Sequence, residues 1–77
     1  MAPKAYVLIN TEVGKAEDVA QGVERAEGVK SADVVRGGYD VVATVEVARL
    51  SAVLPIVEQI RSVPGVRKTT TLLKVKS

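Results

Sequence analysis

A chain of 77 residues with eleven Lys and Arg against nine Asp and Glu is one small domain of net charge +2, too short for more than a single core. It has no histidine and no cysteine; that removes the commonest general base, the thiolate nucleophile, the usual zinc ligands and any disulfide framework, and it suits a reducing cytoplasm. Its apolar fraction of 47% comes from aliphatic side chains, with Tyr6 and Tyr39 the only aromatics; this disfavours base stacking on RNA, and no apolar run is long enough for a signal peptide or a membrane span.

Ala5–Asn10 is short, apolar on both faces and rich in strand formers, so it is the expected first strand. Thr11–Gly14 breaks it. From Lys15 the period changes, and Ala16, Val19, Ala20, Val23 and Ala26 recur at helical spacing. Glu17 and Asp18 suit the first turn of that helix, Gly22 weakens it, and Gly28 stands where a C-terminal glycine belongs. Val29–Arg36 is the expected second strand. Gly37-Gly38-Tyr39-Asp40 then supplies the residues of a tight reversal, and Tyr39–Val47 is the expected third strand. A second helical pattern runs through Leu50, Val53, Ile56, Val57, Ile60 and Val63. Pro55 is tolerable in it if Ser51 caps the helix and predicts a kink otherwise. Pro64-Gly65 ends it, and Val66–Val75 is the expected last strand.

Shifting the sequence on itself by 37 positions places Ala16 on Val53, Val19 on Ile56, Val23 on Ile60, Gly28-Val29 on Gly65-Val66 and Leu8 on Val45. Each half is therefore strand, helix, strand. Two such units make an α+β, ferredoxin-like βαββαβ domain over residues 1–77, a four-stranded antiparallel sheet with both helices on one face. One sheet face is then uncovered. Val7 with Leu8, Val34 with Val35, Val41 with Val42, and Leu72 with Leu73 put apolar side chains on both faces, so the sheet is expected to pair with a second copy.

The residues give little support to an enzyme. Glu17, Asp18, Glu24, Glu27 and Glu58 occupy polar helix positions, and Gly14-Lys15 lacks the other residues of a phosphate loop. The late cations Arg61, Arg67, Lys68, Lys74 and Lys76 read as a solvated face in preference to a phosphate-binding patch. Asp40 suits an ammonium group, with amides exposed at Gly37 and Gly38 and the ring and hydroxyl of Tyr39 beside it. The same glycines and aspartate are also what a turn alone requires. Thr69, Thr70 and Thr71 are equally hydroxyl donors to a ligand or plain strand formers.

Gly37–Val42, the helix end Ile60-Arg61-Ser62-Val63-Pro64-Gly65-Val66, the threonines that follow, Ala5–Asn10 and Glu27-Gly28-Val29 together resemble the effector (RAM) domain of Lrp/AsnC transcription regulators. The resemblance covers nearly the whole chain. It implies dimers made through the sheets, further assembly into octameric rings or larger disks, and an amino acid or related small effector held between dimers; no cofactor and no metal are expected. Gly38, Tyr39 and Asp40 match the effector loop of that family, and Thr69 and Thr71 match strand positions lining its pocket. Asp40 would then face the effector's amino group. The first strand begins within a few residues of Met1, with no helix-turn-helix ahead of it. The expectation is a stand-alone, cytoplasmic effector domain without DNA binding of its own. A ligand-independent partner of full-length Lrp/AsnC regulators is the alternative. A small dimeric αβ-barrel enzyme uses the same fold, but the missing histidine and the small aliphatic side chains argue against it. Metal-chaperone domains need paired cysteines, and the ACT amino-acid-binding domain lacks this hairpin.

Overall fold

The computed structural model of the chain describes residues 4–75. Lys76, one of the late cations, lies outside them. The elements are β1 (Lys4–Thr11), α1 (Ala16–Glu24), β2 (Val29–Val34), β3 (Val41–Glu46), α2 (Val53–Arg61) and β4 (Val66–Leu73). The strands form one antiparallel sheet in the order β2-β3-β1-β4. This is the expected βαββαβ arrangement.

Alternation in the two central strands fixes which residues face the helices. Ala5, Val7 and Ile9 of β1 and Val41, Ala43 and Val45 of β3 are fully buried, and they form one core with Val19 and Val23 of α1 and Ile56, Val57 and Ile60 of α2. The intervening residues of both strands are half-buried on the opposite face. Each helix has only nine residues and no side-chain cap. At that length a helix is marginal alone, so the apolar stripe pressed on the sheet holds it in place.

The second helix corrects two readings. A 3-10 turn at Leu50–Ala52 precedes α2, so Ser51 lies before the helix and makes no capping bond. Pro55 is the third residue of α2, where the backbone N–H is free in any helix, and the chain passes through it without a break.

The internal repeat is real in the helices and shifted in the strands. Val63 N donates to Ile60 O at 3.1 Å as Ala26 N does to Val23 O at 3.0 Å, and Val66 N donates to Val63 O as Val29 N does to Ala26 O, both at 3.2 Å. Each pair is related by the 37-residue shift. In the strands, however, Val29 stands opposite Val45 while Val66 stands opposite Thr11. The equivalent of Val45 is therefore Thr11, 34 positions earlier, and not Leu8. Leu8 and Val45 in fact lie on opposite faces, because an odd slip turns every side chain of a strand over. The longer link from β3 to α2, which carries the 3-10 turn, absorbs the three residues.

The glycines ending the two helices are contact points between the halves. A Cβ on Gly28 (φ +95°) would lie 2.5 Å from Ile56 Cδ1, and one on Gly65 (φ +98°) would lie 2.9 Å from Val19 Cγ2. Each packs on the residue equivalent to its partner's contact. Gly28→Ala is expected to cost about 1–2 kcal/mol through its left-handed backbone alone, and more through the clash. Adding Ile56→Val, which removes Cδ1, should recover only the clash, as read from denaturant midpoints of the single and double variants.

Candidate functional site

The reversal between β2 and β3 is longer than the sequence implies, because β2 stops at Val34 and β3 starts at Val41. Gly37, at φ +144°, is the position that demands glycine; Gly38 has no positive φ. The loop is fastened to the end of β1 by a small set of bonds. Asp40 N donates to Ile9 O at 2.9 Å, Val35 N donates to Asp40 O at 2.9 Å, and Asn10 Nδ2 donates to Gly38 O at 3.0 Å. The Asp40 carboxylate accepts the Thr11 N–H at 2.8 Å and the Thr11 hydroxyl at 3.3 Å, both through Oδ2. Asp40 is thus first a clamp, as a turn residue would be. Its second oxygen, Oδ1, accepts nothing among the described residues, and a carboxylate oxygen has two lone pairs to offer. Asn10 and Thr11 were not singled out by sequence; a polar pair closing an apolar strand is the signal that marks them.

Of the other expected site residues, Tyr39 is half-buried within this loop. Thr69 stands across β1 from it, paired with Ile9, half-buried and on the helix side of β4. Thr71 is exposed and pairs with Val7, about 7 Å farther from the loop along the strand. Within one subunit Thr69 and the hairpin flank the same end of β1, whereas Thr71 stands apart. An open cleft of about 350 Å³ at the start of β4 is lined by Arg61, Val66, Arg67, Lys68 and Thr69, so it reaches Thr69 and not the hairpin. Three cations read as a solvated face therefore share one depression. Among the described residues no acidic cluster is arranged to hold a metal ion, and no helix is long and apolar enough to cross a membrane.

The face of the sheet away from the helices is the other notable surface. By register it carries Tyr6, Leu8, Val42, Thr44, Thr70 and Leu72 in neighbouring rows. Lys4 and Lys30 flank it, each 3.7 Å from Glu46. The sheet therefore presents an apolar centre with a charged edge, the anatomy of an interface. Leu73, by contrast, faces the helix side and is exposed there.

Comparison with known proteins agrees with this fold. The family model described as the Lrp/AsnC ligand binding domain matches residues 4–77. The HTH-type transcriptional regulator FL11 of Pyrococcus abyssi is 27% identical over 73 residues, 95% of this chain and 48% of that protein. The chain thus spans about half the length of that curated relative. Among solved structures, TTHA0845 from Thermus thermophilus superposes with a TM-score of 0.90 at 29% identity, covering 97% of this chain and 95% of the other. The transcriptional regulator NMB0573 of Neisseria meningitidis, solved as a complex with L-Met, shares the fold at a TM-score of 0.82 and 20% identity, over 97% of this chain and 51% of that one.

Proposed function

The chain belongs to the Lrp/AsnC ligand-binding domain family, and from that premise we propose that it is a non-enzymatic cytoplasmic module that self-assembles and binds an amino acid or related small effector between subunits. The observation that carries this reading is the half-committed carboxylate of Asp40. Oδ2 is held by Thr11 while Oδ1 is free among the described residues, so the group is oriented before a ligand arrives. A pre-oriented carboxylate is a strong acceptor for an α-ammonium group. Gly38 and Tyr39 border it, and Thr69 and Thr71 supply hydroxyls to the same effector. In this reading a neighbouring copy completes the site, since within one subunit Thr71 stands apart from the hairpin. The relative solved with L-Met supports an amino acid as the class of ligand.

Assembly starts, in this reading, from the apolar sheet face through Tyr6, Leu8, Val42 and Leu72, and proceeds to rings of dimers. Full-length Lrp/AsnC regulators, which share this domain, are candidate partners. The bond from Thr11 to Asp40 favours a second reading, in which the loop is purely structural and the chain assembles without a ligand.

Asp40→Asn separates the two. The amide keeps an oxygen for the Thr11 N–H and so preserves the clamp, but it loses the charge. Titration calorimetry is expected to show amino-acid affinity falling by about 10–100-fold, the loss of one charge-assisted hydrogen bond of about 1.5–3 kcal/mol, with sedimentation unchanged. Equal affinity in both proteins would remove Asp40 from the site.

A further inference from the structure

We propose that the cleft of Arg61, Arg67 and Lys68 is a second ligand site, one that takes a small phosphate-bearing anion. It does not rest on amino-acid binding at the hairpin. The two halves of the domain differ at their edge strands. Both edge strands carry one extra residue relative to their neighbours, Lys30 between Val29 and Ser31 of β2 and Arg67 between Val66 and Lys68 of β4. These residues are 37 positions apart and structurally equivalent. Glu46 and Glu12, 34 positions apart, are equivalent as well: their N–H groups donate to Gly28 O at 2.9 Å and to Gly65 O at 2.8 Å. On the first edge the side chains meet, with Lys30 Nζ 3.7 Å from Glu46. On the second, Glu12 is present, yet Arg67 forms no ion pair with it among the described residues and lines the cleft instead. Bulges re-aim side chains, and this one delivers a guanidinium to a concavity.

Arg61 and Lys68 meet Arg67 there, and neither has an acidic partner within 4.0 Å among the described residues. Arg61 alone is accounted for as a cation in the last turn of α2. Glu58, one turn earlier on that helix, is exposed and makes no ion pair with it among the described residues. The helix end adds about half a negative charge, which opposes an anion but is small beside three full cations. Val66 and Thr69 complete the lining. A volume of about 350 Å³ is at the small end of ligand pockets. Two arginines and a lysine carry more charge than one carboxylate can use and suit the several oxygens and double charge of a phosphate monoester.

The test is a titration of the intact protein with inorganic phosphate and pyrophosphate at ionic strength held constant with KCl, read by calorimetry and thermal midpoint. Saturable binding is expected, weakened about tenfold or more in Arg61→Gln/Arg67→Gln and unchanged in Arg25→Gln, a cation at the far end of α1. The amino-acid response should survive in the double variant, so this site and the hairpin can fail separately. If the double variant does not fold, Lys68→Gln, at an exposed position, carries the same expectation. A rise in midpoint that does not saturate, or that persists in the variants, would overturn the proposal as general charge screening. So would a change in sedimentation caused by the substitutions without ligand, which would make the cleft a contact for acidic residues of another copy. Binding of duplex DNA with no response to the small anions would also overturn it.

Discussion

Ile9→Ala is expected to leave the domain largely unfolded at physiological temperature. Ile9 is fully buried, lies between Val41 and Thr69 in the sheet, and joins the core formed with both helices. Truncating a buried isoleucine costs about 2–5 kcal/mol once the cavity is included. A single core of this size supplies only about 3–5 kcal/mol. The two are comparable, so even partial relaxation of the cavity leaves little margin. In thermal unfolding the midpoint should fall by about 10–30 °C, at about 4–8 °C per kcal/mol. The loss reaches the hairpin loop as well, because the strand that unravels carries the Ile9 carbonyl to which Asp40 N donates. A midpoint within about 2 °C of the parent would mean that the central strand does not anchor the core.

Leu8→Lys, one residue away, is expected to fail differently. Leu8 points to the opposite face, between Val42 and Thr70, and is already half-buried without any partner. In an isolated subunit a lysine there keeps its ammonium in water, and the fold should lose no more than about 0.5 kcal/mol. In a sheet-to-sheet dimer the same ammonium is buried among Tyr6, Val42 and Leu72 with no acid beside it. An unpaired buried charge costs several kcal/mol, and every ~1.4 kcal/mol is tenfold in dissociation constant, so association should weaken by about a hundredfold or more. Sedimentation should show a monomer where the parent shows an assembly. The variant's unfolding midpoint should also stop depending on concentration, since assembly no longer contributes to it. A Leu8→Lys protein that sediments like the parent would rule out the sheet face as the interface.

The contrast between these neighbours indicates which parts of the molecule the sequence discloses. Alternation along Ala5–Asn10 and Val41–Glu46, and the spacing of Val19, Val23, Ile56 and Ile60, are enough to assign faces, because burial repeats with the period of each element. Resemblance then supplied the family. Registration between the halves was harder. Matching Leu8 to Val45 assumed one shift throughout, while the 3-10 turn before α2 changes the offset to 34 in the strands, an insertion that leaves no mark in hydrophobic spacing. Ser51 misled for a related reason: it has the composition of a cap, but the chain makes a tight turn there first.

At the candidate site, the hairpin was legible because glycine and aspartate are rare in strands and required in reversals. Its fastening was not. Asn10 and Thr11 meet Gly38 and Asp40 across some 28 or 29 residues of sequence, and no local pattern encodes that contact. The basic cleft was hidden for the same reason. Arg61 ends a helix and Arg67 and Lys68 begin a strand, and only the tertiary turn between them makes a concavity of three surface charges.

The central claim, that this domain senses a small amino-acid-like molecule, is tested most directly by thermal unfolding of the intact protein against the common amino acids at millimolar concentration. A ligand present at about a hundred times its dissociation constant adds about 2.7 kcal/mol to stability, which in a domain of this size is a rise of about 10–20 °C. One or two amino acids are expected to raise the midpoint saturably while the remainder leave it in place. A flat response across the whole panel would contradict that claim.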